Sequence, residues 1–216
     1  TQTYTVNTTW NGCNSSDSVT ITINPLPIVA ATVTINPICA GASTTLQGGG
    51  ANTYDWALLI NPGTSIGTGT NLTVNPSTTT SYIVTGTSSA SCINKDTISV
   101  TVNQLPLVAI TSTNDTICAG DSIQLNASGA ATYTWTVLGG GAAGSGTPIY
   151  VSPATNTSYI LNGTDASNCS NADTISLTVN PAATLSSISG VISICPGVTN
   201  VPYTVDNPNP NSSYNW

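Results

Sequence analysis

Six cysteines, at positions 13, 39, 92, 118, 169 and 195, are the residues of this 216-residue chain best suited to covalent chemistry. The chain has no histidine, and no two cysteines stand two to four residues apart, so the usual structural zinc sites cannot be assembled from sequence neighbours. Disulfides formed in an oxidising compartment are the expected use. One set of partners is Cys39 with Cys92 and Cys118 with Cys169, which leaves Cys13 and Cys195 to pair outside these residues. Another joins Cys13 to Cys39, Cys92 to Cys118 and Cys169 to Cys195, each pair 26 positions apart. The first set is favoured, because the second needs the chain between its cysteines to fold back as a hairpin; free thiols are the third alternative.

Other reactive side chains are sparse. All eight acidic residues are Asp, scattered singly, and the one basic residue is Lys95. There is no histidine or Glu for general-base work and no Ser-containing nucleophile elbow. The Gly runs at 48–50 and 139–141 lie between predicted strands, with no following helix to cradle a phosphate. No catalytic, cofactor-binding or metal-binding residue is therefore assigned, and the chain is not expected to be an enzyme. Five of the eight Asp are followed by Ser or Thr and then an aliphatic residue, at 17, 96, 115, 121 and 173. Composition alone predicts about one such match. The simplest reading is local, with an Asp at the start of a strand bonding its own backbone.

These residues recur because the chain repeats itself. Cys39 to Cys118 and Trp56 to Trp135 are each 79 positions, and Cys92 to Cys169 and Tyr82 to Tyr159 are each 77. Within one unit, "VAATVTI", "STTLQ", "TYDWAL" and "NLTVNP" read as successive strands, and "SYIVTGT" and "DTISVTV" as a closing pair. Alternating apolar residues, short strands and turns rich in Gly, Asn, Pro and Ser predict all-β sandwiches. Nothing has the 3.6-residue periodicity of a helix. Proline-containing joints at 24–27, 103–106 and 180–183 divide the chain into the C-terminal half of one repeat (1–24), two whole repeats (25–103 and 104–180) and the N-terminal part of another (181–216). The last piece is a different subtype, since Cys195 to Trp216 spans 21 positions where Cys39 to Trp56 spans 17. The chain starts and stops in mid-pattern and reads as a fragment. Trp56 and Trp135 are expected to fill the cores, whereas Trp10, beside a predicted hairpin turn, is expected at the surface.

The net charge of −7, with only 4% charged residues, excludes a phosphate-binding surface: nucleic acid would be repelled, and so would an anionic membrane. No apolar run approaches the roughly 18 residues of a membrane helix.

"ICAG", the Thr-rich turn before "SYIVTGT", the Cys before the last strand and the "VTVNPLP"-type joint resemble the tandem Ig-like and PKD-like repeats of giant Bacteroidetes surface proteins, and "ISICPGVTNVPYTV" is similar to the PKD-like subtype. The resemblance covers essentially the whole chain and implies tandem β-sandwich repeats in an extended rod. It implies export by type IX secretion to the cell surface, and a role as a stalk or filament segment of an adhesin. Neighbouring repeats, other copies in a filament or surface glycans would be the partners. A carbohydrate- or protein-binding module, or an accessory domain of a secreted polysaccharide-degrading enzyme, is the alternative. The Asp-Ser/Thr-aliphatic triplets resemble that phylum's O-glycosylation signal, which implies glycans on Ser18, Thr97, Thr116, Ser122 and Thr174 and no other cofactor.

Overall fold

The computed structural model describes residues 1–182, 187–206, 208 and 213. Among them every regular element is a strand. Trp216 and most of the insert before it, whose spacing marked the last repeat as a different subtype, lie outside the described residues. The chain divides into two compact units, Thr1–Leu105 and Pro106–Trp216.

The first unit opens with a hairpin, β1 (Gln2–Trp10) and β2 (Cys13–Ile21), in register from Gln2 opposite Ile21 to Trp10 opposite Cys13. Its two-residue turn needs positive φ at both positions, which Asn11 (46°) and Gly12 (80°) supply. Every residue of both strands is exposed.

The sandwich that follows is built from β3 (Ala30–Val33), β4 (Ile38–Cys39), β5 (Thr44–Gly49), β6 (Thr53–Leu58), β7 (Asn61–Thr68), β8 (Asn71–Val74), β9 (Thr80–Thr87), β10 (Ile93–Val100) and β11 (Val102–Asn103). One sheet has the order β3-β5-β8 and the other β10-β9-β6-β7, while β4 and β11 form a short parallel pair. Strands β5 and β9 alternate buried and more exposed residues, so each sheet presents one apolar face. Leu46, Trp56, Val84 and Val100 meet there, all fully buried. The Trp56 indole donates to the Gly69 carbonyl at 3.0 Å, and the Tyr54 hydroxyl accepts from Ala51 N and donates to Ala51 O, both at 2.8 Å. The polar ends of two buried rings are thereby satisfied.

The second unit builds the same sandwich from β12 (Ala109–Ser112), β13 (Thr116–Cys118), β14 (Ile123–Ser128), β15 (Thr132–Val137), β16 (Ala142–Ser145), β17 (Ile149–Val151), β18 (Thr157–Thr164) and β19 (Ser170–Asn180). Its sheets run β12-β14-β17 and β13-β19-β18-β15-β16, with β13 parallel to the end of β19. Leu125, Trp135, Leu161 and Leu177 are the buried counterparts, and the Trp135 indole donates to the Gly146 carbonyl at 2.9 Å. A short antiparallel pair, β20 (Ile188–Gly190) and β21 (Tyr203–Val205), completes the described elements.

Two features of the sandwiches invite tests. Gly50 has φ +82°, and a Cβ added there would lie 1.7 Å from the Ile28 carbonyl oxygen; Gly129 repeats this with φ +91° and 1.8 Å to the Leu107 oxygen. Gly50→Ala is expected to cost about 2 kcal/mol, a fall of about 10 °C in the midpoint of that sandwich, readable by calorimetry. A shift under about 3 °C would show that the first strand yields easily.

Burial also pushes the Tyr82 and Tyr159 phenols above their ordinary pKa of 10.0. The folded chain then holds these protons more tightly than the unfolded one. The stabilisation is complete below about pH 10 and is lost as pH rises through the raised folded values. An alkaline titration followed by phenolate absorbance should show a late-ionising class that merges with the exposed tyrosines once the chain is unfolded.

Candidate functional site

Sequence reasoning assigned no catalytic or metal constellation, and among the described residues no group of three or more Asp and Cys side chains is placed to hold a metal ion. What the fold does gather, twice and in the same slots, is a set of Asn, Asp and Cys residues at the two ends of each sandwich.

At the end where the chain comes in, β10 reaches across to β3. Asp96 accepts from Ala31 N through Oδ2 and from Thr97 N through Oδ1, both at 2.8 Å. Two residues earlier, Asn94 Nδ2 donates to the Pro27 carbonyl at 2.9 Å. The second unit repeats each bond: Asp173 accepts from Ile110 N and Thr174 N at 2.8 Å, and Asn171 Nδ2 donates to the Pro106 carbonyl at 3.0 Å. The Asp therefore does bond its own backbone, but it is not at the strand start as expected. Asp96 and Asp173 are each the fourth residue of their strand, because the pairing with the preceding strand begins at Ile93 and Ser170. The Asp also ties the last strand to the first, across some 65 residues of chain, a role that sequence reasoning missed. The recurring Asn-x-Asp-Thr was the available signal. In the exposed hairpin Asp17 keeps only the local half, accepting from Ser18 N at 2.9 Å.

The same end carries one cysteine of each repeat, in the turn before the last strand. Ser88 N donates to the Cys92 carbonyl at 2.9 Å, and Ser88 Oγ accepts from Cys92 N at 3.2 Å. In the second unit Asp165 takes the place of Ser88, with Asp165 N to the Cys169 carbonyl at 2.9 Å and Cys169 N to Asp165 Oδ1 at 2.9 Å. The Cys92 thiol lies 3.8 Å from the Asn24 carbonyl, beside the incoming chain.

The other cysteine of each repeat sits where the chain goes out. Cys39 lies opposite Asn103 in the β4–β11 pair, and Ala40 N donates to the Asn103 carbonyl at 2.9 Å. Cys118 lies opposite Asn180, and Ala119 N donates to the Asn180 carbonyl at 2.8 Å.

Cys39 and Cys169 are disulfide-bonded, whereas Cys13, Cys92, Cys118 and Cys195 are free thiols. The favoured within-repeat pairs are therefore not formed, and the reason is distance. The eleven residues of β19 separate the Cys169 end of the second sandwich from the Cys118 end, about 33 Å at about 3.3 Å per residue, against a limit of about 7 Å between Cα atoms. The pairs 26 positions apart are not formed either, since each contains a free thiol.

Of the hydroxyls in the Asp-led triplets, Ser18, Thr97, Ser122 and Thr174 are exposed. Thr116 is half-buried, with its hydroxyl 3.4 Å from Asp115 Oδ1. Trp10 is 80% exposed at the hairpin tip. Replacing it by Ala is expected to change stability by less than about 0.5 kcal/mol in a denaturant titration, and a larger loss would mean that the ring packs against something. A surface depression near the outgoing end of the first sandwich is lined by Leu58, Leu59, Ile60 and the Thr78, Thr79 and Thr80 run, which offers apolar and hydroxyl groups but no acid–base pair.

No curated protein matches the chain. Solved structures with a similar course of the chain include the fibronectin(III)-like modules of Clostridium thermocellum CbhA, at 12% identity over 70% of this chain and 95% of that one, with a TM-score of 0.35. A Ca2+-stabilized adhesin that helps an Antarctic bacterium reach out and bind ice is 16% identical over 88% of this chain and 60% of its own, with a TM-score of 0.40. A 1.5-MDa bacterial ice-binding adhesin is 17% identical over 79% and 71%, with a TM-score of 0.32. Residues 26–106, the first complete sandwich together with the joint that follows it, match the family described as Ig-like domain CHU_C associated.

Proposed function

We propose that the chain is a structural segment of a large secreted, cell-surface protein of adhesin type, in which successive Ig-like repeats add reach and mechanical resistance without catalysis. The observation that carries this reading is the duplication of the clamp together with the core. Each sandwich has its own buried Trp, and each fastens its first strand to its last through the same Asn and Asp bonds. A clamp of this kind resists peeling of the strand by which the chain enters the unit, which is where a pulling force would act. The low charge suits an outer surface facing variable salt, because little electrostatic attraction is there to be screened. Ig-like sandwiches are typically non-catalytic modules, and the reading asks for no cleft.

In this reading the segment lies outside the cell after type IX export, with neighbouring repeats, and further copies in a filament, as its partners. The five triplet hydroxyls at Ser18, Thr97, Thr116, Ser122 and Thr174 carry O-glycans, and four of the five are exposed. Intact-mass measurement on native material checks the glycans, and the absence of any added sugar mass removes them from the proposal. Electron microscopy of the native, unreduced parent protein tests the stalk. A beaded thread with one bead per 77 to 79 residues supports it, whereas compact separate particles bound to a fixed partner would overturn it in favour of a binding module.

A further inference from the structure

The two sandwiches share a core but not an outer surface. In the first, the outward side of the β3-β5-β8 sheet carries Thr32, Thr45, Gln47 and Thr73. In the second, the matching slots of the β12-β14-β17 sheet hold Thr111, Gln124, Asn126 and Tyr150. Strand alternation sets that side, since the residues between, Ile123, Leu125, Ile149 and Val151, are all buried. Tyr150 stands directly opposite Gln124 and is 67% exposed. Its hydroxyl donates to Gln124 Oε1 at 3.1 Å, and Gln124 Nε2 donates to Asn126 Oδ1 at 2.9 Å. A ring on open sheet and two amides are thus joined in one hydrogen-bonded row that the first sandwich lacks.

We propose that this face of the second sandwich binds a neutral, unbranched polysaccharide, with Tyr150 as the stacking platform and Gln124 and Asn126 as partners for sugar hydroxyls. The face of an aromatic ring is electron-rich, whereas a pyranose chair turns a patch of weakly positive C–H groups to one side, so the two attract as they leave water. The row also fixes the ring before a ligand arrives. With the phenol tied to Gln124 and Gln124 tied to Asn126, less side-chain freedom is lost on binding. Each bond in the row runs in the same direction. Asn126 therefore keeps both amide N–H donors, Gln124 keeps one, and the Tyr150 hydroxyl keeps its lone pairs. Neighbouring sugar hydroxyls, each a donor and an acceptor, match such a mixed row.

Charge selects among glycans. Residues 106–216 contain five Asp and neither Lys nor Arg, so a uronate or sulfate would meet repulsion and find no cation. A protein partner fits less well, because the face has no apolar centre from which to exclude water. Trp10 is more exposed than Tyr150, but no side chain among the described residues holds its ring by a hydrogen bond. The Asn residues of its hairpin, Asn7 and Asn14, stand on the opposite face, since they alternate with the Trp10–Cys13 pair. A ring and its amides come together on one face only at Tyr150.

Titration of the isotope-labelled full chain with cellohexaose and with mannohexaose tests the site by amide shifts. Residues 123–126 and 149–151 should move saturably, with a dissociation constant of about 1 mM or tighter for at least one of the two sugars. The matching residues of the first sandwich, 44–47 and 72–74, should stay still, a control within the same molecule. Hexagalacturonate should produce no saturable change. Tyr150→Ala should weaken binding by about tenfold or more, because the apolar contact of the ring is lost. Tyr150→Phe keeps the ring but releases it from Gln124, and should weaken binding about threefold. Because the side chain is exposed, both variants should melt within about 3 °C of the parent. Three results would overturn the proposal: no saturable shift with either neutral sugar, shifts of equal size in both sandwiches, or binding that survives Tyr150→Ala. Tighter binding of hexagalacturonate than of the neutral sugars would do so too. The site needs only the second sandwich, so its failure leaves the stalk reading untouched, and a compact particle in place of a thread would leave the site untouched.

Discussion

Replacing Trp56 by alanine is expected to remove about 3–5 kcal/mol from the stability of the first sandwich, enough to unfold it near body temperature in a domain of ordinary stability. The ring has no exposed surface, and its neighbours Leu46, Val84 and Val100 are equally buried, so the space it leaves cannot be refilled by solvent-facing groups moving inward. Its loss also leaves the Gly69 carbonyl without the 3.0 Å indole donor. Trp56→Phe separates the two contributions: it keeps most of the apolar area but not the hydrogen bond, and should cost about 1–2 kcal/mol. Each core is drawn wholly from its own unit, 29–102 in one and 108–177 in the other. Hydrogen exchange on Trp56→Ala should therefore lose protection in 44–49 and 80–87 while 123–128 and 157–164 keep theirs. Trp135→Ala should show the reverse. A loss below about 1 kcal/mol, or equal loss of protection in both units, would contradict the packing described here.

The fold class was legible because period-2 alternation is a property of a strand's own residues: "SYIVTGT" and "DTISVTV" announce their buried faces without reference to anything distant. The pieces that escaped are those whose strand character comes from a partner. Strand β7, "NPGTSIGT", has two Gly, a Pro and no alternation, and its residues are nearly all exposed; it is a strand because β6 offers a free edge. Strands β4 and β13 are two and three residues long and exist through parallel pairing with the outgoing chain.

The end clusters were legible as recurrences but not as geometry. The spacing shows that Cys92 and Cys169 occupy one slot and Cys39 and Cys118 another. It does not show that the slots lie at opposite ends, because that depends on how many strands cross the sandwich between them, including the short ones that alternation cannot reveal. The Asp-Thr-aliphatic triplet illustrates the same limit. Its local half, the bond to the next amide, follows from the residue type, whereas the bond to Ala31 or Ile110 spans some 65 residues and has no sequence-local sign.

Asp96→Ala is therefore expected to cost more than a surface substitution should, about 2–4 kcal/mol, since two charge-assisted hydrogen bonds to the carboxylate are lost and Ala31 N is left without its partner beneath the sheet edge. Asp96→Asn keeps one oxygen acceptor and should recover about half of that loss, provided its amide turns the oxygen toward Ala31 N. The kinetic signature distinguishes a clamp from a contributor to the core. Because the bond joins the first strand to the last, its removal should open the incoming strand ahead of the rest, so exchange at 30–33 should rise more than at 80–87, and the force needed to unfold the unit by pulling should fall. Asp173→Ala should do the same at 109–112 in the second sandwich. Uniform loss of protection through β9 and β10, with an unchanged unfolding force, would mean that the Asp supports the sheet as a whole and that resistance to peeling comes from elsewhere.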